Sequence, residues 1–161
     1  MNFELYEVKQ EDKSIIYNLL QIYIYELSFF EDETAIFTLL DNGLFETSNS
    51  VELYWVEEVR RAYILKCDGN LAGFVLKRVT KEGANEIAEF FVLNKYRNVG
   101  AGTFMANKMF ELYKGKWEID TLLKNKRAQS FWRKVVREAS NSKFEEKLND
   151  SKTRHIFCFE N

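Results

Sequence analysis

The stretch from Tyr96 to Met105 reads YRNVGAGTFM, and it follows Glu86 to Leu93, EIAEFFVL, an apolar run of strand character. A helix start exposes unpaired backbone N–H groups and the positive end of the helix dipole, and glycines there let an anion approach the backbone closely. The stretch therefore has two readings: an anion-binding turn, or a plain glycine turn that joins a strand to a helix. Two nucleotide motifs fail to account for it. GAGTFM lacks the third glycine of GxGxxG and lies at the fourth strand instead of the first, and no GK[ST] follows as a P-loop requires.

Outward from this turn, alternation and helical spacing give the other elements. Upstream, FELYEV at Phe3 to Val8 reads as a short strand with Phe3, Leu5 and Glu7 on one face. Ile16, Leu19, Leu20, Tyr23, Leu27 and Phe30 recur at helical spacing, which predicts an amphipathic helix from Asp12 or Ser14 to Phe30. A second helical piece is expected from Thr34 to Leu40, ended by Asp41-Asn42-Gly43, with irregular chain and some helix on to Arg61. AYILKC and LAGFVLKRV flank Asp68-Gly69, a hairpin signal. Downstream come a helix with Ala106, Met109, Phe110 and Tyr113 on one face, the strand WEIDTLL, and a helix striped by Ala128, Phe131, Trp132, Val135 and Val136. KFEEKL and RHIFCFE close the chain as a hairpin about Asn149-Asp150-Ser151. The order β, α, α, β, β, β, α, β, α, β, β predicts one α+β or α/β domain over residues 1–161 with a mixed sheet.

Composition bounds the function. The 161 residues are 46% hydrophobic and 16% aromatic, enough for a genuine core. The 23 basic and 25 acidic residues are scattered along the chain, so no basic stripe offers itself to nucleic acid. No apolar run approaches a membrane span, and MNFELYEVKQEDK has no secretory-signal pattern, so a cytoplasmic location is expected. Cys67 and Cys158 lack a CxxC spacing and His155 is the single histidine, so no metal site is expected. Proline is absent, which leaves glycine, Asn and Asp to mark the turns.

Arg97-Asn98-Val99-Gly100-Ala101-Gly102 resembles the Q/R-x-x-G-x-G/A signature of the GNAT superfamily of N-acetyltransferases, and it sits between strand and helix as that signature does. Asn125, Ala128, Phe131 and Trp132 resemble the family's second motif, and Gly73-Phe74 its third-strand glycine. The resemblance runs from about Arg61 to the end of the chain, with the first strand and helices in matching order. It implies a mostly antiparallel sheet of six or seven strands flanked by helices, and acetyl-CoA as co-substrate. It also implies backbone donors from Asn98 to Thr103, among them Val99, Gly100, Ala101 and Gly102, that hold the coenzyme A pyrophosphate, with Arg97 at the loop's start. The pantetheine arm would pair with Phe91, Val92 and Leu93 as an added strand, the N–H near Val92 polarising the thioester carbonyl, and Asn125 would help hold the coenzyme.

Acetyl transfer needs a neutral amine and hence a base. Glu89 is the candidate: it interrupts the apolar run on the face of Ile87, Phe91 and Leu93 and matches a position where many family members carry an acid. Its other reading is a carboxylate facing solvent or pairing within the sheet. Trp132 stands where the family often has a tyrosine to protonate the leaving thiolate; Tyr113 is an alternative that no spacing singles out. Asn94 and Asn98 replace a common Pro and Gly. For the acceptor, a small-molecule or peptide amine, the aromatic and acidic residues Glu26, Glu31, Asp32 and Glu33, then Tyr54, Trp55, Glu57 and Glu58, form either a cation-attracting surface or core and solvated face. An acyl-CoA-binding module without transferase activity is the alternative function, and RHIFCFE permits either a homodimer or packing inside a monomer.

Overall fold

The structure, a computed structural model, describes residues 1–31 and 36–161. Seven strands form one sheet: β1 (Phe3–Glu7), β2 (Arg61–Cys67), β3 (Asn70–Val79), β4 (Asn85–Val92), β5 (Lys116–Leu122), β6 (Phe144–Leu148) and β7 (Arg154–Glu160). Their spatial order is β1-β2-β3-β4-β5-β7-β6. Every neighbouring pair is antiparallel except β4 and β5. The helices are α1 (Lys13–Leu27), α2 (Ala101–Leu112) and α3 (Lys126–Ala139).

Both faces of the central strands are covered, which is why their sequences read as continuous apolar runs. In β2, Tyr63 and Leu65 pack toward Met105, Met109 and Val135 of α2 and α3. Their neighbours Ala62 and Ile64 pack on the other face toward Ile16, Leu19 and Leu20 of α1 and Val51 and Tyr54 of the 3-10 segment Asn49–Trp55. Asp68 and Gly69, with φ of 48° and 79°, close the β2–β3 hairpin with the two left-handed residues that match strand twist.

One expectation changes. Of the helix predicted from Thr34 to Leu40, Thr34 and Ala35 lie outside the described residues, and Ile36 to Leu40 is not helical. Leu39 instead bridges Phe45 across the Asn42-Gly43 turn, whose Gly43 has φ of 80°. The Gln21 side chain holds that turn from α1: Phe45 N–H donates to Oε1 at 2.7 Å, and Nε2 donates to the Phe45 carbonyl at 3.1 Å. In the terminal hairpin, β7 is an interior strand with both edges paired, while the edge strand β6 is mostly exposed and charged. Among the described residues no helix is long and apolar enough to cross a membrane.

Candidate active site

Parallel strands β4 and β5 pair only at Asn85↔Trp117, Glu86↔Glu118 and Ile87↔Ile119, then part. Beyond Ile87 the edge of β4 faces a gap. Leu93 N–H donates to the Ala72 carbonyl of β3 at 2.8 Å, so alternation turns the Val92 N–H the other way, toward the space β5 has left. That space opens into a cleft of about 700 Å³ walled by β4, the start of α2, α3 and the end of α1.

The turn after β4 builds one end of the cleft. Asn98 and Gly100 take φ of 62° and 93°, left-handed values that glycine adopts freely and asparagine tolerates. Successive backbone N–H groups in such a turn point into one concavity. Gly100 is the N-cap of α2 and no side chain caps the helix, so the first-turn N–H groups of Ala101, Gly102 and Thr103 have no capping side chain to bind. Gly102 has a packing reason as well: a Cβ there would stand 3.3 Å from the Phe131 ring of α3.

Arg97 is already engaged. Its Nε donates to the Val92 carbonyl at 2.6 Å, and its Nη2 pairs with Glu26 of α1, tying that helix to the turn. Asn125 N-caps α3, accepting from Ala128 N–H at 3.0 Å, which explains the spacing between these two residues. Trp132 is buried against Phe90 and Phe131, with ring centroids 4.7 and 4.9 Å apart. Tyr113 lies away from the cleft, its hydroxyl 2.6 Å from that of Tyr63 and its ring under the Lys77 ammonium.

Glu89 lines a second hollow of about 300 Å³ that shares Tyr23, Phe90, Asn125 and Trp132 with the cleft. The register explains its orientation. Leu76 pairs with Glu89 and Lys77 with Ile87, so Ala88 is the extra residue of a β-bulge. Ile87 consequently packs toward α2 and α3 while Phe91 packs toward α1, not on one face as simple alternation predicted. The Tyr23 ring packs on Phe74 and Phe91 and lines the hollow together with Glu89. Enclosure by protein is the main cause that pushes the Glu89 carboxyl up to about 7, with the nearby Tyr23 hydroxyl opposing it and nearby Asp120 adding to it.

Of the residues singled out in the sequence, Phe91, Val92, Arg97, Asn98, Gly100, Gly102, Thr103 and Asn125 line the cleft. Leu93 is turned to β3, Ala101 is buried beneath the loop, and Val99 is exposed outside the lining. The aromatic and acidic groups are largely spoken for. Glu26 holds Arg97, Tyr54 is core, Trp55 Nε1 donates to the Val8 carbonyl at 2.8 Å and Glu57 pairs with Arg60; Asp32 and Glu33 lie outside the described residues. Sequence reasoning missed Arg127, Ser130 and Lys134, one polar face of α3 on the cleft, although their helical spacing was there to find.

A family model described as acetyltransferase (GNAT) family matches residues 19–136. No curated protein sequence matches the chain. Among solved structures, an acetyltransferase from Thermus thermophilus is 13% identical with a TM-score of 0.71, covering 100% of this chain and 98% of that one. A GNAT-family acetyltransferase from Staphylococcus aureus is 15% identical with a TM-score of 0.67, covering 99% of each chain. A candidate streptothricin acetyltransferase from Bacillus anthracis, solved with acetyl coenzyme A, is 15% identical with a TM-score of 0.60 over 100% of this chain and 99% of that one. At such identities these likenesses speak for the fold alone. With the family model spanning most of the chain and the sheet parting where β4 leaves β5, the chain belongs to the GNAT family of acetyltransferases.

Proposed function

We propose that the protein is an acetyl-CoA-dependent N-acetyltransferase whose acceptor is a primary amine of a small molecule or a protein. The observation that carries the reading is the gap between β4 and β5, with an uncapped helix start at one end and a carboxyl near neutrality beside it. The residues fit the co-substrate. The donors from Asn98 to Thr103 and the α2 dipole suit a pyrophosphate, and Arg127 and Lys134 add positive charge to the same cleft. The exposed edge of β4 suits an amide-containing arm. Acetyl-CoA supplies the activated acyl group as a thioester.

The chain's own groups then have defined tasks. Glu89, half ionised near pH 7, takes a proton from the acceptor's ammonium and leaves a nucleophilic amine. Tyr23 lies beside that carboxylate in the hollow. Val92 N–H donates to the carbonyl oxygen as it gains charge. The C–N bond forms as the C–S bond breaks. The nitrogen's second proton passes through solvent to the departing sulfur, because the indole of Trp132 is no acid.

That same Trp132 favours the second reading, a module of this fold that binds acyl-CoA and transfers nothing. Two measurements separate them. Acetyl-CoA at a hundredfold excess over its Kd stabilises a binding protein by about 2.7 kcal/mol, roughly 5–10 °C in melting temperature. A transferase also releases free thiol with at least one member of an amine panel and loses that activity in Glu89→Gln. A melting shift without thiol release selects the module; no shift at all removes both readings.

A further inference from the structure

The 300 Å³ hollow beside Glu89 holds charge that the protein does not itself neutralise. Arg78 and Glu86 satisfy each other, Nε and Nη2 donating to the two carboxylate oxygens at 2.5 and 2.8 Å. Asp120 and Arg154 do not. Among the described residues neither side chain makes an ion pair, although both line the hollow. Asp120 stands opposite Ile156 and Arg154 opposite Leu122 in the β5–β7 register, and opposed residues share a face, so the two charges lie on one side of the sheet. The Asn149 side chain fixes the start of β7, its Oδ1 accepting the backbone N–H groups of Thr153 and Arg154 at 2.8 and 2.9 Å.

The Arg154 guanidinium acts on Asp120, Glu89 and Tyr23 alike, drawing each downward. Asp120 is exposed and Arg154 half-buried at the hollow, so neither charge is closed off from a ligand. An acidic and a basic side chain, neither in an ion pair among the described residues, line a space of small-molecule size.

Resting on the transferase reading, we propose that the acceptor is a small zwitterion of amino-acid type, its carboxylate bound by Arg154 and its ammonium entering between Asp120 and Glu89. A diamine would leave Arg154 facing like charge. A protein N-terminus would bring no carboxylate to it.

Thiol release is measured with free amino acids, their carboxamides and putrescine, on the parent protein and on Arg154→Gln and Arg154→Lys. The free acids exceed their own carboxamides in kcat/KM by about 10- to 100-fold, the span of a lost charge-assisted contact. Arg154→Gln brings that ratio close to one, chiefly through KM; Arg154→Lys retains part of it; both keep the melting shift produced by acetyl-CoA. Carboxamides or putrescine used as well as free acids, or a ratio that survives Arg154→Gln, would overturn the proposal while leaving the transferase reading intact. A melting shift with acetyl-CoA but no thiol release from any amine overturns both.

Discussion

Replacing Glu89 with glutamine separates the stability of this protein from its activity in a pH-dependent way. Folded Glu89 keeps its proton to about pH 7, whereas an ordinary glutamate loses it near 4.5. Between those values the folded state binds more protons than the unfolded one, so stability falls as pH rises through the window, and the penalty is complete above it. The interval corresponds to about 3 kcal/mol, which the carboxyl's opening to the hollow reduces to about 2 kcal/mol. Glutamine has the same shape and no charge to bury. At pH 8 the Glu89→Gln protein should therefore melt roughly 4–8 °C above the parent, and at pH 5 the gap should shrink below about 2 °C. Calorimetry across pH 5 to 8 reads this directly. The parent's kcat/KM should rise with pH through about 7, and the variant should lie lower by about 10²- to 10⁴-fold, without that inflection. A melting gap that does not change with pH, or a variant less stable than the parent at pH 8, would show that Glu89 is a paired or solvated carboxylate and refute the reasoning.

Two glycines give sharper structural tests. A Cβ built on Gly73 would stand 2.1 Å from the Phe91 carbonyl oxygen, backbone that cannot step aside, so Gly73→Ala should cost about 3 kcal/mol or more and lower the denaturation midpoint accordingly. At Gly100 the nearest atom to an added Cβ is 3.9 Å away, so Gly100→Ala meets only the left-handed backbone strain of about 1–2 kcal/mol. Gly100→Glu bears the same strain and adds a like charge at an anion site, so calorimetric titration should show its acetyl-CoA affinity at least about tenfold below that of Gly100→Ala.

The sequence carried the strand-turn-helix at YRNVGAGTFM because its signals are local: an apolar run, residues able to take left-handed φ, and then helical spacing. The β2–β3 hairpin was readable for the same reason. What escaped depends on register and on contacts between distant segments. The bulge at Ala88, which puts Ile87 and Phe91 on opposite faces, is set by pairing with β3 and leaves no mark in EIAEFFVL. The Gln21 side chain that stabilises the Leu39–Phe45 turn in place of a helix belongs to another element. The pairing of Arg97, at the start of the loop, with Glu26 joins residues distant in sequence and leaves no local mark. Arg154 and Asp120 share one face of the sheet only because β7 inserts between β5 and β6, an order that the succession of strands along the chain does not reveal.

The parallel contact between β4 and β5 has a mechanical side. It is a seam of three residue pairs between two antiparallel halves, β1 to β4 on one flank and β5, β7 and β6 on the other. A peptide-like arm laid along β4 would act as a missing rung, so occupying the cleft and holding the two flanks together become one interaction. Hydrogen exchange should then slow at amides along the seam as well as at those that touch the ligand.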